Sequence, residues 1–215
     1  MNAGSFSGLF HNPGSLDDQV WWESVANGIE TTIEINSCHN SYEREELYDQ
    51  QRAAIKVYRK DRNAAWLLRQ GYKYGFVCNS DGHKGHVGTN GVTAIFAEEL
   101  TRKSIFECYR MRRGYGTTNA RMKLIFTGNG AMNGTVNPTG TEKILRLLAE
   151  CESPIKRIDL FRNGEPFKVM DRPTDGNQFE TEIVIPEDKN AASNWYFRVT
   201  QFDNQVGYTS PIWFE

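Results

Sequence analysis

The feature that most constrains this chain is an apolar run, Tyr74-Gly75-Phe76-Val77-Cys78, that passes directly into the polar loop Asn79-Ser80-Asp81-Gly82-His83-Lys84-Gly85-His86. A strand that is apolar at nearly every position belongs in a sheet covered on both faces. A loop at the carboxyl end of such a strand is where layered α/β proteins place ligands. Asp81 and His83 can present an oxygen and a nitrogen donor to one cavity, and both types bind metals such as zinc or manganese. Gly82 and Gly85 let the backbone turn tightly around them. An Asp-Gly turn beside a surface histidine is the competing reading of the same residues, and spacing alone does not separate the two.

The first half of the chain alternates strand and helix patterns. A short strand over Ser7 to His11 ends in the turn Asn12-Pro13-Gly14, and Leu16 to Asn27 predicts a helix closed by Gly28. Thr31 to Asn36 is a β-branched strand, Glu43 to Tyr48 a short helix, and Asp61 to Gln70 a helix stopped by Gly71. Val92 to Ala97 is another apolar strand. Thr101 then caps a helix from Arg102 to about Arg112, with Ile105, Phe106 and Tyr109 on its apolar side. Strand followed by helix, repeated, predicts an α/β layered or barrel-like architecture.

Beyond Tyr115 the helix signal fades. Asn163-Gly164, between Ile158-Asp159-Leu160-Phe161 and Pro166-Phe167-Lys168-Val169, is a strong hairpin signal. Trp195 to Phe202 alternates cleanly, and Gly207 to Phe214 reads as a closing strand that Pro211 assigns to an edge. Ile144 to Leu148 suits either a strand or a short helix. The tail is expected to form a small antiparallel β-sandwich. The division is drawn as an α/β part over 1–127 and a β-sandwich part over 128–215.

Two further strand ends carry candidate residues. His11 stands before a turn, as Asp81 and His83 do. Glu34 would be costly to bury unpaired in its apolar strand, and its parity against Ile33 and Ile35 favours a solvent-facing side chain. His39 follows in the next loop as a site wall or ligand. His86 and Lys84 could meet an anionic substrate, although solvated loop residues look the same in sequence. Cys38, Cys78, Cys108 and Cys151 form no Cys-x-x-Cys pair, so a cysteine zinc site is not expected. Cys78 and Cys108 read as core thiols.

A net charge of −2 over 215 residues argues against a nucleic-acid partner. No apolar run is long enough to span a bilayer, so no membrane partner is expected. Met1-Asn2-Ala3-Gly4-Ser5 lacks the basic and apolar regions of a secretory signal, which favours a cytoplasmic location.

The segment from Phe76 to Gly85 resembles the last metal-binding motif of the PHP (polymerase and histidinol phosphatase) superfamily. The continuation from Gly91 to Arg102, then Ile105-Phe106-Glu107 and Arg112 to Thr118, looks like the subgroup holding the DUF3604 proteins and the CehA/McbA-type metallohydrolases. The Asn163-Gly164 hairpin and the strand from Val206 to Phe214 are similar to that subgroup's C-terminal β domain. The resemblance implies a distorted β/α barrel and a divalent metal (zinc, manganese or iron) used to hydrolyse a phosphoester or a carbamate-like ester. It assigns His11, Asp81 and His83 as metal ligands, with Asp81 holding the catalytic metal. His39, Lys84 and His86 would line the substrate side.

The departure from the family is as informative. Its opening His-x-His strand and the ligands that follow are absent here, so the chain is similar to a C-terminal portion. His11, Asp81 and His83 would then each serve a different metal, leaving one ligand apiece where a tight site needs about four to six. The expectation is a partial PHP-type barrel plus sandwich with little activity and weak metal affinity by itself. The alternative is a non-catalytic interaction module, its open barrel edge completed by a partner chain or by self-association as a homo-oligomer.

Overall fold

The computed structural model describes residues 30–38, 40–44, 63–82, 86–186 and 189–215. The strand expected over Ser7 to His11 and the helix over Leu16 to Asn27 lie outside these residues, as does the helix expected after Glu43 from position 45 onward.

The strands build two largely antiparallel layers and a small one around a parallel pair. The parallel layer has β1 (Thr32–Ser37) at its centre, flanked by β2 (Asn40–Ser41) and β3 (Gly75–Cys78), with β1 and β3 parallel. The helix α1 (Ala64–Arg69) precedes β3. Asn63 caps it by accepting from the Trp66 amide at 2.9 Å, and its buried Ala64, Leu67 and Leu68 pack on this layer. Gly71, at φ 84°, follows its end in the left-handed conformation that closes helices.

The chain then passes through β4 (Val92–Ile95), α2 (Arg102–Arg110) and β5 (Gly114–Thr117). From there it is all strand: β6 (Lys123–Gly128), β7 (Ala131–Met132), β8 (Val136–Asn137), β9 (Lys143–Glu150), β10 (Ile155–Arg162), β11 (Glu165–Asp171), β12 (Gln178–Ile185), β13 (Ser193–Gln201), β14 (Val206–Thr209) and β15 (Ile212–Phe214). An 8-stranded sheet runs β11-β10-β13-β14-β5-β4, with β15 bridging β13 and β8, and a 4-stranded sheet runs β12-β9-β6-β7. The two sheets form a β-sandwich. Leu124, Phe126, Leu145, Leu147 and Ile183 on one sheet meet Ile158, Leu160, Trp195, Phe197 and Phe214 on the other. Each such side chain, fully buried, contributes about 1.5–3 kcal/mol before entropy is counted.

The described residues do not form the expected α/β barrel. Among the described residues there are two helices, of six and nine residues, and β4 joins an antiparallel sheet rather than a parallel one. Strand, helix and strand in succession, as in β4-α2-β5, suit the expected layered or barrel-like architecture, but the chain reverses. Arg112 adopts φ 57° just past α2, and β5 returns antiparallel to β4, pairing Ile95 with Gly114 and Val92 with Thr117. Strand-then-helix in sequence does not fix the direction of the next strand. Here the glycines of β5 let it lie against β3: a Cβ at Gly116 would come within 2.3 Å of Cys78 Sγ.

Smaller expectations are also corrected. α2 stops at Arg110 because of the turn at Arg112. Its buried residue is Cys108, whose Sγ donates to the Phe96 carbonyl at 3.2 Å, while Phe106 faces solvent. Ile144 to Leu148 is strand: Leu145 and Leu147 are buried while Arg146 between them is exposed, which only a period of two allows. Pro211 does not mark an edge strand. It sits in the break between β14 and β15, both of which pair on two sides, where its missing N–H costs no ladder bond. The hairpin at Asn163-Gly164 has the positive φ values of 52° and 74° that its sequence signals.

The 8-stranded sheet is buried on both faces at β13, where the structure is three layers deep. On β13, Trp195, Phe197 and Val199 face the sandwich core, and Tyr196 and Arg198 face the parallel layer. Tyr196 stacks on Phe161 at 4.6 Å and meets Phe76 edge-on at 5.1 Å.

Candidate functional site

The place to which the sequence points is the carboxyl end of the parallel pair. β1 alternates: Ile33 and Ile35 enter the core, and the residues between and after them face the loop that follows β3. Asn79 Nδ2 donates to Glu34 Oε2 at 2.9 Å, Asn36 Nδ2 donates to the Asn90 carbonyl at 2.7 Å, and Cys38 Sγ donates to the Asp81 carbonyl at 2.9 Å. Three alternate residues thus grip one loop at three points. The register between β1 and β3 shifts between Glu34 and Asn36. Such bulges commonly re-aim side chains beside functional sites.

The loop is also closed on itself. The backbones of Asn79 and Gly91 touch, so that a Cβ at Gly91 would fall 2.3 Å from the Asn79 carbonyl oxygen. Ser80 Oγ accepts from the Gly88 amide at 2.8 Å, and the Thr89 hydroxyl donates to the His86 carbonyl at 2.8 Å. Asp81 itself sits at φ 40°, in the left-handed region that asparagine and aspartate enter more readily than other non-glycine residues.

Beneath the loop, among the described residues, the outer edge of β3 is finished by hydroxyls rather than by another strand. Thr93 Oγ1 accepts from the Cys78 amide at 3.0 Å and donates to the Cys78 carbonyl at 2.7 Å. Ser210 Oγ accepts from the Phe76 amide at 2.9 Å. Cys78 is fully enclosed, and its thiol is pushed well above the usual range, first by burial and then by Glu34.

Asp81 therefore stands at the strand mouth as expected, and Glu34 is hydrogen-bonded there rather than simply solvent-facing. His86 is in the same loop and exposed. His11, His39, His83 and Lys84 lie outside the described residues. Sequence reasoning missed Asn36, Cys38 and Asn79. The signal was present in the parity of Glu34, Asn36 and Cys38 against Ile33 and Ile35, but the loop they would meet was not foreseeable.

The donors at this strand end suit a divalent cation in kind. Burial raises the Cys38 pKa, and Asp81 and Glu34 raise it further, so the charges acting on this thiol are negative. In number the donors stop short. Among the described residues, no group of three His, Cys, Asp or Glu side chains is placed to hold a metal ion. No helix among them is long and apolar enough to cross a membrane.

A second polar centre, also missed, lies between the layers. Arg198 of β13 bonds Glu43 through Nη1 and reaches Asp159 Oδ2 through Nη2 at 2.9 Å, while Arg157 Nε holds Asp159 Oδ1 at 2.7 Å. Tyr196 Oη donates to Glu43 Oε1 at 2.9 Å. Burial works to lower the Arg198 pKa, but Glu43 and Asp159 outweigh it and hold the guanidinium firmly charged. Arg198 links Glu43 to Asp159 and Arg157 holds the other oxygen of Asp159, so this centre is an internal tie.

A family match begins within the loop. Residues 79–145 match the model of DUF3604, a family described as proteins of unknown function. An uncharacterized protein of Chlamydia pneumoniae is 29% identical over 138 residues, which is 57% of this chain and 22% of that protein. One from Chlamydia muridarum is 28% identical over 142 residues, 58% of this chain and 22% of its own length. The matched region thus spans 22% of the length of these relatives. Among solved structures, the CARDB domain of a Pyrococcus furiosus protein, crystallised with di-metal ions, aligns over 45% of this chain and 89% of its own. That alignment has a TM-score of 0.31 and 8% identity. What the chain shares with a named family is therefore the DUF3604 pattern, from Asn79 at the end of β3 into β9.

Proposed function

We propose that this chain supplies part of the active site of a divalent-metal-dependent hydrolase of the PHP kind, acting on a phosphoester or a carbamate-like ester. The observation that carries this reading is the placement of Asp81 at the carboxyl end of β3, beside Glu34 and Cys38 of the parallel neighbour β1. The DUF3604 match beginning at Asn79 supports it. When bound, a divalent metal supplies Lewis-acid chemistry at the ester.

The chain's own residues have more limited tasks. Asp81 offers a carboxylate donor from a loop held at both ends. Glu34 adds negative charge to the same strand mouth. His11 and His83 are the further ligands this reading assigns, and His39, Lys84 and His86 meet the anionic or polar part of the substrate. The remaining donors belong to the rest of a longer protein, in keeping with the 22% of the relatives' length that the match covers.

Calorimetric titration with Mn2+ and Zn2+, combined with a p-nitrophenyl phosphate assay, tests this. The expected result is weak metal binding and turnover near background. Two or more tightly held metals together with hydrolysis would show that the donor set is complete in this chain, against the proposal.

A further inference from the structure

We infer that Asn36 and Cys38 are positioning residues, which set the place of Asp81 by clamping the loop that carries it onto β1. The inference rests on the reading of Asp81 as a metal ligand. The observations are geometric. Asn36 is buried, and its amide holds the Asn90 carbonyl at 2.7 Å near the returning end of the loop. Cys38 holds the Asp81 carbonyl at 2.9 Å near the departing end. Glu34, two residues before Asn36, takes the Asn79 amide at the loop's root.

A left-handed conformation at a non-glycine residue costs energy and persists when its surroundings over-determine it. Asp81, at φ 40°, is held by the thiol on its own carbonyl, while the Asn79–Gly91 contact fixes the loop's base. The bulge at Glu34/Asn36 lets these side chains of β1 reach the loop while Ile33 and Ile35 stay in the core. Neither Asn36 nor Cys38 need touch a metal or a substrate to do this. Their contribution is the fixed position of the Asp81 backbone, and through it of the carboxylate.

The test uses the full chain and Mn2+ alone as the probe. Wild type, Asn36→Ala, Cys38→Ala, Cys38→Ser and Asp81→Asn are compared by Mn2+ titration followed by electron paramagnetic resonance. Amide hydrogen exchange is read over 86–91. Supporting residues around a ligand are worth about 10- to 100-fold in metal affinity. Asn36→Ala and Cys38→Ala are expected to weaken Mn2+ binding by about tenfold or more and to speed exchange over 86–91. Cys38→Ser keeps the donor, so it is expected to restore both readouts. General destabilisation that does not depend on the donor would not be rescued in this way.

If Asp81→Asn removes Mn2+ binding but the Asn36 and Cys38 variants bind as wild type does, the clamp is overturned and the ligand reading stands. If Asp81→Asn leaves binding unchanged, the ligand reading fails, and with it the positioning role, even where exchange shows a clamped loop.

Discussion

Arg198 is where a single residue carries the most consequence. Its guanidinium is the shared partner of Glu43 and Asp159, which are 0% and 1% exposed, and it ties the parallel layer to the central sheet. A buried ion pair of this kind adds little over an apolar replacement of the whole group, but removing Arg198 leaves Glu43 buried with the Tyr196 hydroxyl and without its guanidinium partner, and leaves Asp159 to Arg157. Arg198→Ala is therefore expected to destabilise the fold by about 3–5 kcal/mol, measured by urea unfolding. A loss below about 1 kcal/mol would mean that the carboxylates find water in the variant. The alternation over Trp195 to Phe202 does not single Arg198 out, because alternation reports two faces and not how many layers cover them. The parity of Glu34 points it away from the core, and its bond to Asn79 is made on that solvent-accessible side.

At the scale of elements, the ends of strands and helices were legible wherever local chemistry decides them. Thr101 caps α2 by accepting from the Ser104 amide at 3.2 Å, and Asn163-Gly164 makes the turn between β10 and β11. Gly164 does more than turn. A Cβ there would meet the Ala65 carbonyl oxygen of α1 at 2.5 Å, so Gly164→Ala combines a strained φ of 74° with a clash against α1. A loss of more than about 1 kcal/mol is expected in thermal or urea unfolding. The edge of β3 was not legible, because its closure depends on two hydroxyls far away in sequence. Thr93→Val keeps the shape of the side chain but leaves the Cys78 N–H and C=O without partners. This is expected to cost about 1–3 kcal/mol, and an unchanged unfolding midpoint would contradict the assigned hydrogen bonds.

At the scale of the whole molecule, the sandwich could be read and the barrel could not. From β6 onward, alternation and turn chemistry agree with one another, and the antiparallel sheets follow. In the first half, a short helix between β4 and β5 imitated a parallel crossover, and nothing local revealed that Gly114 and Gly116 would let β5 return antiparallel and lie against β3. The candidate site survives this correction because it needs only the parallel pair β1 and β3 and the loop between β3 and β4. It was half legible: the Asp81 motif announced itself, whereas the β1 residues that anchor it depend on a strand pairing between positions about forty residues apart. The central claim is that Asp81 is presented at this strand mouth as a metal ligand. Mn2+ titration of the wild-type chain against Asp81→Asn, followed by electron paramagnetic resonance, measures this most directly. The account predicts weak binding in the wild type that Asp81→Asn abolishes without changing the unfolding midpoint; superimposable titration curves for the two proteins would contradict it.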